Sequence, residues 1–155
     1  MEKEGGGRFM DVEFLGHHSP RLDEKGRLFL PAKFRDDLGD KIVVTKGFER
    51  CLTIYPHPVF KQRILDPLNA ANTSSKTVRS VRRQLLGDAS TENPDRQGRV
   101  TIPGVLRSYA GLDKDCVVIG QGHYLEVWDS ATYEAANATD GTTLEDLHDE
   151  GVVLL

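Results

Sequence analysis

A single pattern occurs twice in this chain, and a repeat of that kind fixes the architecture before any one residue is interpreted. Residues 23–35 read Asp-Glu-Lys-Gly-Arg-Leu-Phe-Leu-Pro-Ala-Lys-Phe-Arg, and residues 95–107 read Asp-Arg-Gln-Gly-Arg-Val-Thr-Ile-Pro-Gly-Val-Leu-Arg. Asp, Gly, Arg, Pro and Arg recur at one constant offset, with apolar residues matched at Leu28/Val100, Leu30/Ile102 and Phe34/Leu106. Downstream, Asp40–Val44 resembles Asp115–Ile119, and Cys51–Tyr55 resembles Tyr124–Trp128. The result is two copies of a unit of roughly 40 residues, a length short of what ordinarily folds alone. Pairing of the two copies, or of subunits, is therefore expected.

Each copy has a physical reading. Asp-x-x-Gly is turn chemistry: the Asp side chain accepts backbone N–H groups, and Gly26 or Gly98 takes the positive φ that closes the turn. Arg27 or Arg99 leaves the turn at the head of a short alternating strand, Leu28–Leu30 or Val100–Ile102. Pro31 and Pro103 stop the strand and open a helix with Phe34/Leu38 and Leu106/Ala110 on one face, ended by Gly39 and Gly111. A β-hairpin follows in each copy, Ile42–Thr45 with Leu52–Tyr55 and Val117–Ile119 with Leu125–Trp128, so each unit reads strand, turn, strand, short helix, strand, strand. Between the copies, Pro58 opens a helix carrying Phe60, Ile64, Leu65 and Leu68. A second helix from Ser75 to Leu86 sets Val78, Val81 and Leu85 on one face and Lys76, Arg79 and Arg83 on the other, a basic stripe that reads first as a solvated face. A short helix over Ala131–Ala138 and an acidic tail close the chain; the tail reads either as mobile or, from its apolar end Val152–Leu155, as docked. The class is α+β. Its parts are an N-terminal extension (1–12), read as flexible, a first repeat (13–58), a helical connector (59–87), a second repeat (88–131) and the tail (132–155).

Charge narrows the partner. The net charge of −4 argues against phosphate binding, but it averages unlike segments. No Lys or Arg follows Lys114, whereas Asp115, Glu126, Asp129, Glu134, Asp140, Glu145, Asp146, Asp149 and Glu150 do. The first 114 residues thus carry more cations than anions, a basic body with an acidic end that is compatible with a nucleic-acid partner. The apolar runs are too short to span a bilayer, and Met1–Met10 lacks the basic start and apolar stretch of a signal peptide. Cys51 and Cys116 sit far apart in apolar surroundings, as reduced core residues would. A cytoplasmic protein is expected.

Enzymatic readings find little. There is no GxSxG, P-loop or HExxH, and the five histidines show no metal-ligand spacing. Neither catalytic residues, a metal, a cofactor nor a small-molecule substrate is expected. Asp23 and Asp95 read as turn caps. Folding does not demand Arg at 27 and 99, where a rigid turn can present a guanidinium to the guanine edge in a major groove. Lys25, Lys33 and Arg35 suit phosphates, which position a protein without specifying sequence. Arg35 and Arg107 could equally pair with Asp37, Asp113 or another acid and hold the fold.

The doubled Asp-x-x-Gly-Arg-φ-x-φ-Pro-x-x-φ-Arg pattern (φ apolar), with Val81-Arg-Arg-Gln-Leu-Leu-Gly-Asp-Ala89 between the copies, resembles the bacterial MraZ family over residues 13–130. The resemblance implies two AbrB-like swapped-hairpin β-barrel repeats and a homo-oligomeric ring on short repeated promoter sites. It implies a transcriptional regulator of the division and cell-wall gene cluster, nucleoid-associated, contacting double-stranded DNA through Lys25, Arg27, Lys33, Arg35, Arg99 and Arg107. The competing reading is a protein-interaction or architectural module that keeps the fold without reading bases.

Overall fold

The computed structural model describes residues 12–154. Proline and glycine punctuation divides the repeat as expected. In the first copy β1 (His17–His18) leads to the Asp23 turn, β2 (Arg27–Phe29), α1 (Ala32–Leu38), β3 (Ile42–Lys46) and β4 (Leu52–Pro56). Each strand runs a residue or so beyond or ahead of its expected limits, since strand ends are set by ladder pairing rather than by composition. The connector holds α2 (His57–Phe60), a π-helical turn (Lys61–Leu65), α3 (Asp66–Ala70), α4 (Lys76–Arg82) and a second π-helical turn (Arg83–Gly87). The first wide turn stands just ahead of Pro67, a residue with no N–H to give to the helix. In the second copy β5 (Ser90–Glu92) leads to the Asp95 turn, β6 (Arg99–Thr101), α5 (Gly104–Ala110), β7 (Cys116–Gly120) and β8 (Leu125–Asp129). Beyond them lie α6 (Ser130–Thr139) and α7 (Leu144–Asp149).

The two copies do not fold side by side. Six antiparallel strands run in the order β1-β7-β8-β4-β3-β5, and β2 pairs with β6 in a separate two-stranded ribbon. Hairpins β3–β4 and β7–β8 meet through β4 and β8, with Thr53 opposite Glu126. The strand leading into each copy then pairs with the other copy's hairpin, β1 on β7 and β5 on β3. This is the swapped-hairpin arrangement, made within one chain, and it answers why so short a unit needed a partner. The repeats expected at 13–58 and 88–131 share one sheet.

One apolar cluster unites them. Leu28, Leu30, Phe34, Leu38, Ile42 and Ile54 of the first copy pack with Val100, Ile102, Leu106, Ala110, Val118 and Leu125 of the second, all essentially removed from water. Each Val, Leu, Ile or Phe among them contributes about 1.5–3 kcal/mol by burial. Val12 joins this core, so the packed body begins one residue earlier than expected; the rest of the proposed extension lies outside the described residues. Cys51 and Cys116 are buried as free thiols, as expected. The connector leans on the sheet through Thr45, whose hydroxyl donates to the Leu85 carbonyl at 2.6 Å. No helix of the described residues is long and apolar enough to cross a membrane.

Candidate nucleic-acid interface

The two Asp turns are built alike. Asp23 Oδ1 accepts from the N–H of Lys25 (3.0 Å) and of Arg27 (2.8 Å), and Asp95 Oδ1 accepts from Gln97 and Arg99 (2.9 Å each). The second carboxylate oxygen takes the arginine side chain: Arg27 Nε donates to Asp23 Oδ2 at 2.8 Å, and Arg99 Nε to Asp95 Oδ2 at 2.7 Å. Both acids are held below the ordinary carboxylate range, chiefly by the arginine's backbone N–H and also by its guanidinium. The capping role read for Asp23 and Asp95 is what the structure shows, with a second task added. Each also fixes the direction of its arginine.

Those arginines share one surface. Leu28 faces Val100 across the ribbon and both point inward, fully buried. Period-two alternation therefore turns Arg27 and Phe29 of β2, with Arg99 and Thr101 of β6, outward. Arg27 stands opposite Thr101 and Phe29 opposite Arg99, so the arginines occupy diagonal corners, about 7–8 Å apart at the backbone. With Nε committed to the aspartate, the two terminal nitrogens of each guanidinium make no hydrogen bond among the described residues and can donate end-on to a pair of acceptors.

The remaining expected contacts divide. Lys25 and Lys33 are exposed, the former on the first turn and the latter on α1 with its ammonium 5.3 Å from the Phe34 ring centre. Arg35 and Arg107 are only partly exposed, and neither is paired with an acid among the described residues. Each instead crosses to the other copy's turn. The Arg107 guanidinium lies over Gly26, and the Arg35 side chain lies over Gly98, close enough that neither glycine has room for a Cβ. Arg35 also donates to the Arg96 carbonyl at 3.4 Å and stacks near Phe29, at 6.0 Å. Backbone bonds follow the same exchange, Leu30 N–H to the Gly98 carbonyl (2.9 Å) and Ile102 N–H to the Gly26 carbonyl (2.8 Å).

Two stretches of the chain, residues 14–84 and 85–150, each match the model of the MraZ protein family, whose description calls it antitoxin-like. The chain belongs to the MraZ family. It is 54% identical over 137 residues to a "Transcriptional regulator MraZ" of Thermobifida fusca, covering 88% of this chain and 95% of the relative. A protein of the same description from Salinispora arenicola is 51% identical over 140 residues, covering 90% and 97%. One from Paenarthrobacter aurescens is 53% identical over 117 residues, covering 76% and 81%. Each MraZ match holds one Asp turn and one strand of the ribbon, so neither unit has the paired-arginine face without the other.

One exposed cation escapes the repeat. Arg96 sits in the second turn where the first copy has Glu24, so self-similarity gives no pointer to it; its only sequence sign is its place inside an Asp-x-x-Gly turn. Of the connector stripe, Arg79 donates to the Thr73 and Ser74 carbonyls (3.0 and 2.9 Å), which gives it a structural task, while Lys76 and Arg83 are exposed. Among the described residues no group of three His, Cys, Asp or Glu side chains is placed to hold a metal ion.

Proposed function

We propose that this chain is a transcriptional regulator that lays its two-stranded ribbon into the major groove of promoter DNA. The observation that carries the reading is the pair of aspartate-held arginines on the outward face of that ribbon. A major groove admits a two-stranded β-ribbon, and an arginine with two free terminal donors matches the O6 and N7 acceptors of guanine. Because the aspartates fix both guanidiniums beforehand, little side-chain freedom is lost on binding. The sites are short and G-rich. Lys25 and Lys33 meet phosphates, and Arg35 and Arg107 serve chiefly by holding the opposite turn, with any phosphate contact secondary.

One ribbon offers few contacts, so useful affinity comes from several ribbons on tandem sites, presented by a ring-like homo-oligomer. In keeping with the "transcriptional regulator" name of its relatives, the protein acts in the cytoplasm on the nucleoid, and its targets are the division and cell-wall gene cluster, including its own promoter. It performs no catalysis.

The test is binding to the chain's own upstream promoter duplex against a scrambled duplex at two salt concentrations. The proposal expects preference for the promoter and affinity that falls steeply with salt on both duplexes. No preference at either salt would move the reading to a protein-interaction module of the same fold. Light scattering checks the ring, and a species of monomer mass at working concentration would contradict it.

A further inference from the structure

The acids crowd the end of the chain, where Asp140, Glu145, Asp146, Asp149 and Glu150 stand with no Lys or Arg. There α7 forms on its own resources, its first turn closed by a reciprocal cap in which Thr143 N donates to Asp146 Oδ2 (2.8 Å) and Asp146 N to Thr143 Oγ1 (3.4 Å). Among the described residues, no side-chain hydrogen bond or ion pair joins 140–154 to the body. Its apolar side chains nevertheless face water: Leu144 is 80% exposed, Val153 69% and Leu154 59%. An ordered acidic helix followed by an exposed apolar end is a segment without a partner.

The outward face of the ribbon is its complement. Arg27 and Arg99 flank it, each holding its own aspartate through Nε and keeping its two terminal nitrogens for an acceptor, Lys25 and Arg96 extend it along the turns and outweigh Glu24 beside them, and Phe29, 49% exposed, supplies an apolar centre. The tail is rooted beside this face. Leu22, next to Asp23, donates its N–H to the Lys114 carbonyl (2.8 Å), and Ser130, which begins α6, donates to the Asp115 carbonyl (2.9 Å). From that root α6 carries the chain about 15 Å, and the residues from 140 onward, with α7 kept helical, reach about 40 Å.

Resting on the DNA-reading proposal, we propose that segment 140–154 docks on the ribbon face and competes with DNA for Arg27, Arg99, Lys25 and Arg96. Its carboxylates offer the guanidiniums and ammonium what phosphates would, and Val152, Val153 and Leu154 cover Phe29. Tethering places it at an effective concentration in the millimolar range. Weakly held DNA loses this competition, whereas several ribbons on tandem sites win it, so the tail sets a threshold against stray binding.

A carbodiimide, which joins a carboxylate to an amine only when they touch, tests the contact on the full chain. Mass spectrometry is expected to find Lys25 joined to Glu145, Asp146, Asp149 or Glu150, with the product lost in promoter duplex or at high salt. In parallel, the variant Glu145→Gln, Asp146→Asn, Asp149→Asn, Glu150→Gln is expected to bind duplex about fivefold tighter at low salt, the factor for a face free only about one-fifth of the time, with the gap closing as salt rises. If Lys25 is shielded by DNA yet never joins the tail, or the variant binds as the parent does, the tail proposal is overturned and the DNA reading stands. If the tail joins Lys25 and DNA displaces nothing, the competition is overturned, and the DNA reading with it.

Discussion

Arg107 lies across Gly26 of the opposite repeat, and Arg35 lies across Gly98 in return. Each turn is thus roofed by a side chain from the other copy, and the glycines have two reasons to lack a Cβ. Both take positive φ, 78° and 86°, and both are covered. They differ in what a methyl group would strike. At Gly26 only the Arg107 side chain is in the way, whereas at Gly98 the Leu30 carbonyl also stands 2.8 Å from the added carbon.

Alanine at either position is expected to destabilise the fold, by about 1–3 kcal/mol at Gly26 and more at Gly98, where backbone must shift. Gly111, at φ 62° with open space around it, is the control and should cost about 1 kcal/mol from backbone strain alone. Urea midpoints decide the ranking. Equal losses at Gly26, Gly98 and Gly111 would mean that the roofing arginines contribute nothing.

The strand alternation of the ribbon makes a second prediction. Leu28→Ala opens a cavity against Val100 and should cost about 2–5 kcal/mol, while Phe29→Ala, one residue away on the outward face, should stay within about 1 kcal/mol. Similar losses from both would contradict the register.

Acid should loosen the turns. Asp23 and Asp95 have folded pKa values below the ordinary 3.8, so their ionised forms favour the folded state. That contribution is fully present above the unfolded value and is lost as pH falls through the lower folded one. The stability gap between the parent and Asp23→Asn/Asp95→Asn is therefore expected at neutral pH and should shrink below about pH 4. A gap that is constant down to pH 2 would remove the carboxylates from the account.

Cys51 and Cys116 should resist thiol reagents in the folded protein. Burial pushes their thiols up to about 12 and about 11, with nearby carboxylates adding to the shift, and only the thiolate attacks. Labelling at pH 8 is expected to wait for unfolding. Prompt labelling of either would show the core opening locally.

Much of this was written in the sequence, for physical reasons that differ by residue. Asp23 and Gly26 are legible because an Asx turn is a local device set by four neighbouring residues. The helix limits at Pro31 and Gly39 are legible for the same reason. The sequence leaves the exchange of strands open between copies and subunits, since which hairpin β1 pairs with depends on contacts far along the chain. The repeat makes a strand ahead of the second turn legible but not its place: Ser90–Glu92 is three polar residues at a sheet edge, held as β5 by its pairing with β3 rather than by propensity. Arg35 and Arg107 carry only a partial sign. Each copy holds both a turn glycine and a helix arginine, which is what reciprocal roofing requires, but only the folded chain shows that the arginine reaches the other copy's glycine.

The central claim is that the aspartate-held arginines read bases, and Arg27→Lys and Arg99→Lys test it most directly, because each keeps the charge and removes the two-donor fork. We would measure the ratio of affinities for promoter and scrambled duplex, with the salt dependence of each. The account predicts that each variant loses about ten- to a hundredfold of discrimination, corresponding to about 1–3 kcal/mol for a two-donor contact to guanine, while the salt slope barely changes. Discrimination equal to the parent's in both variants would contradict it.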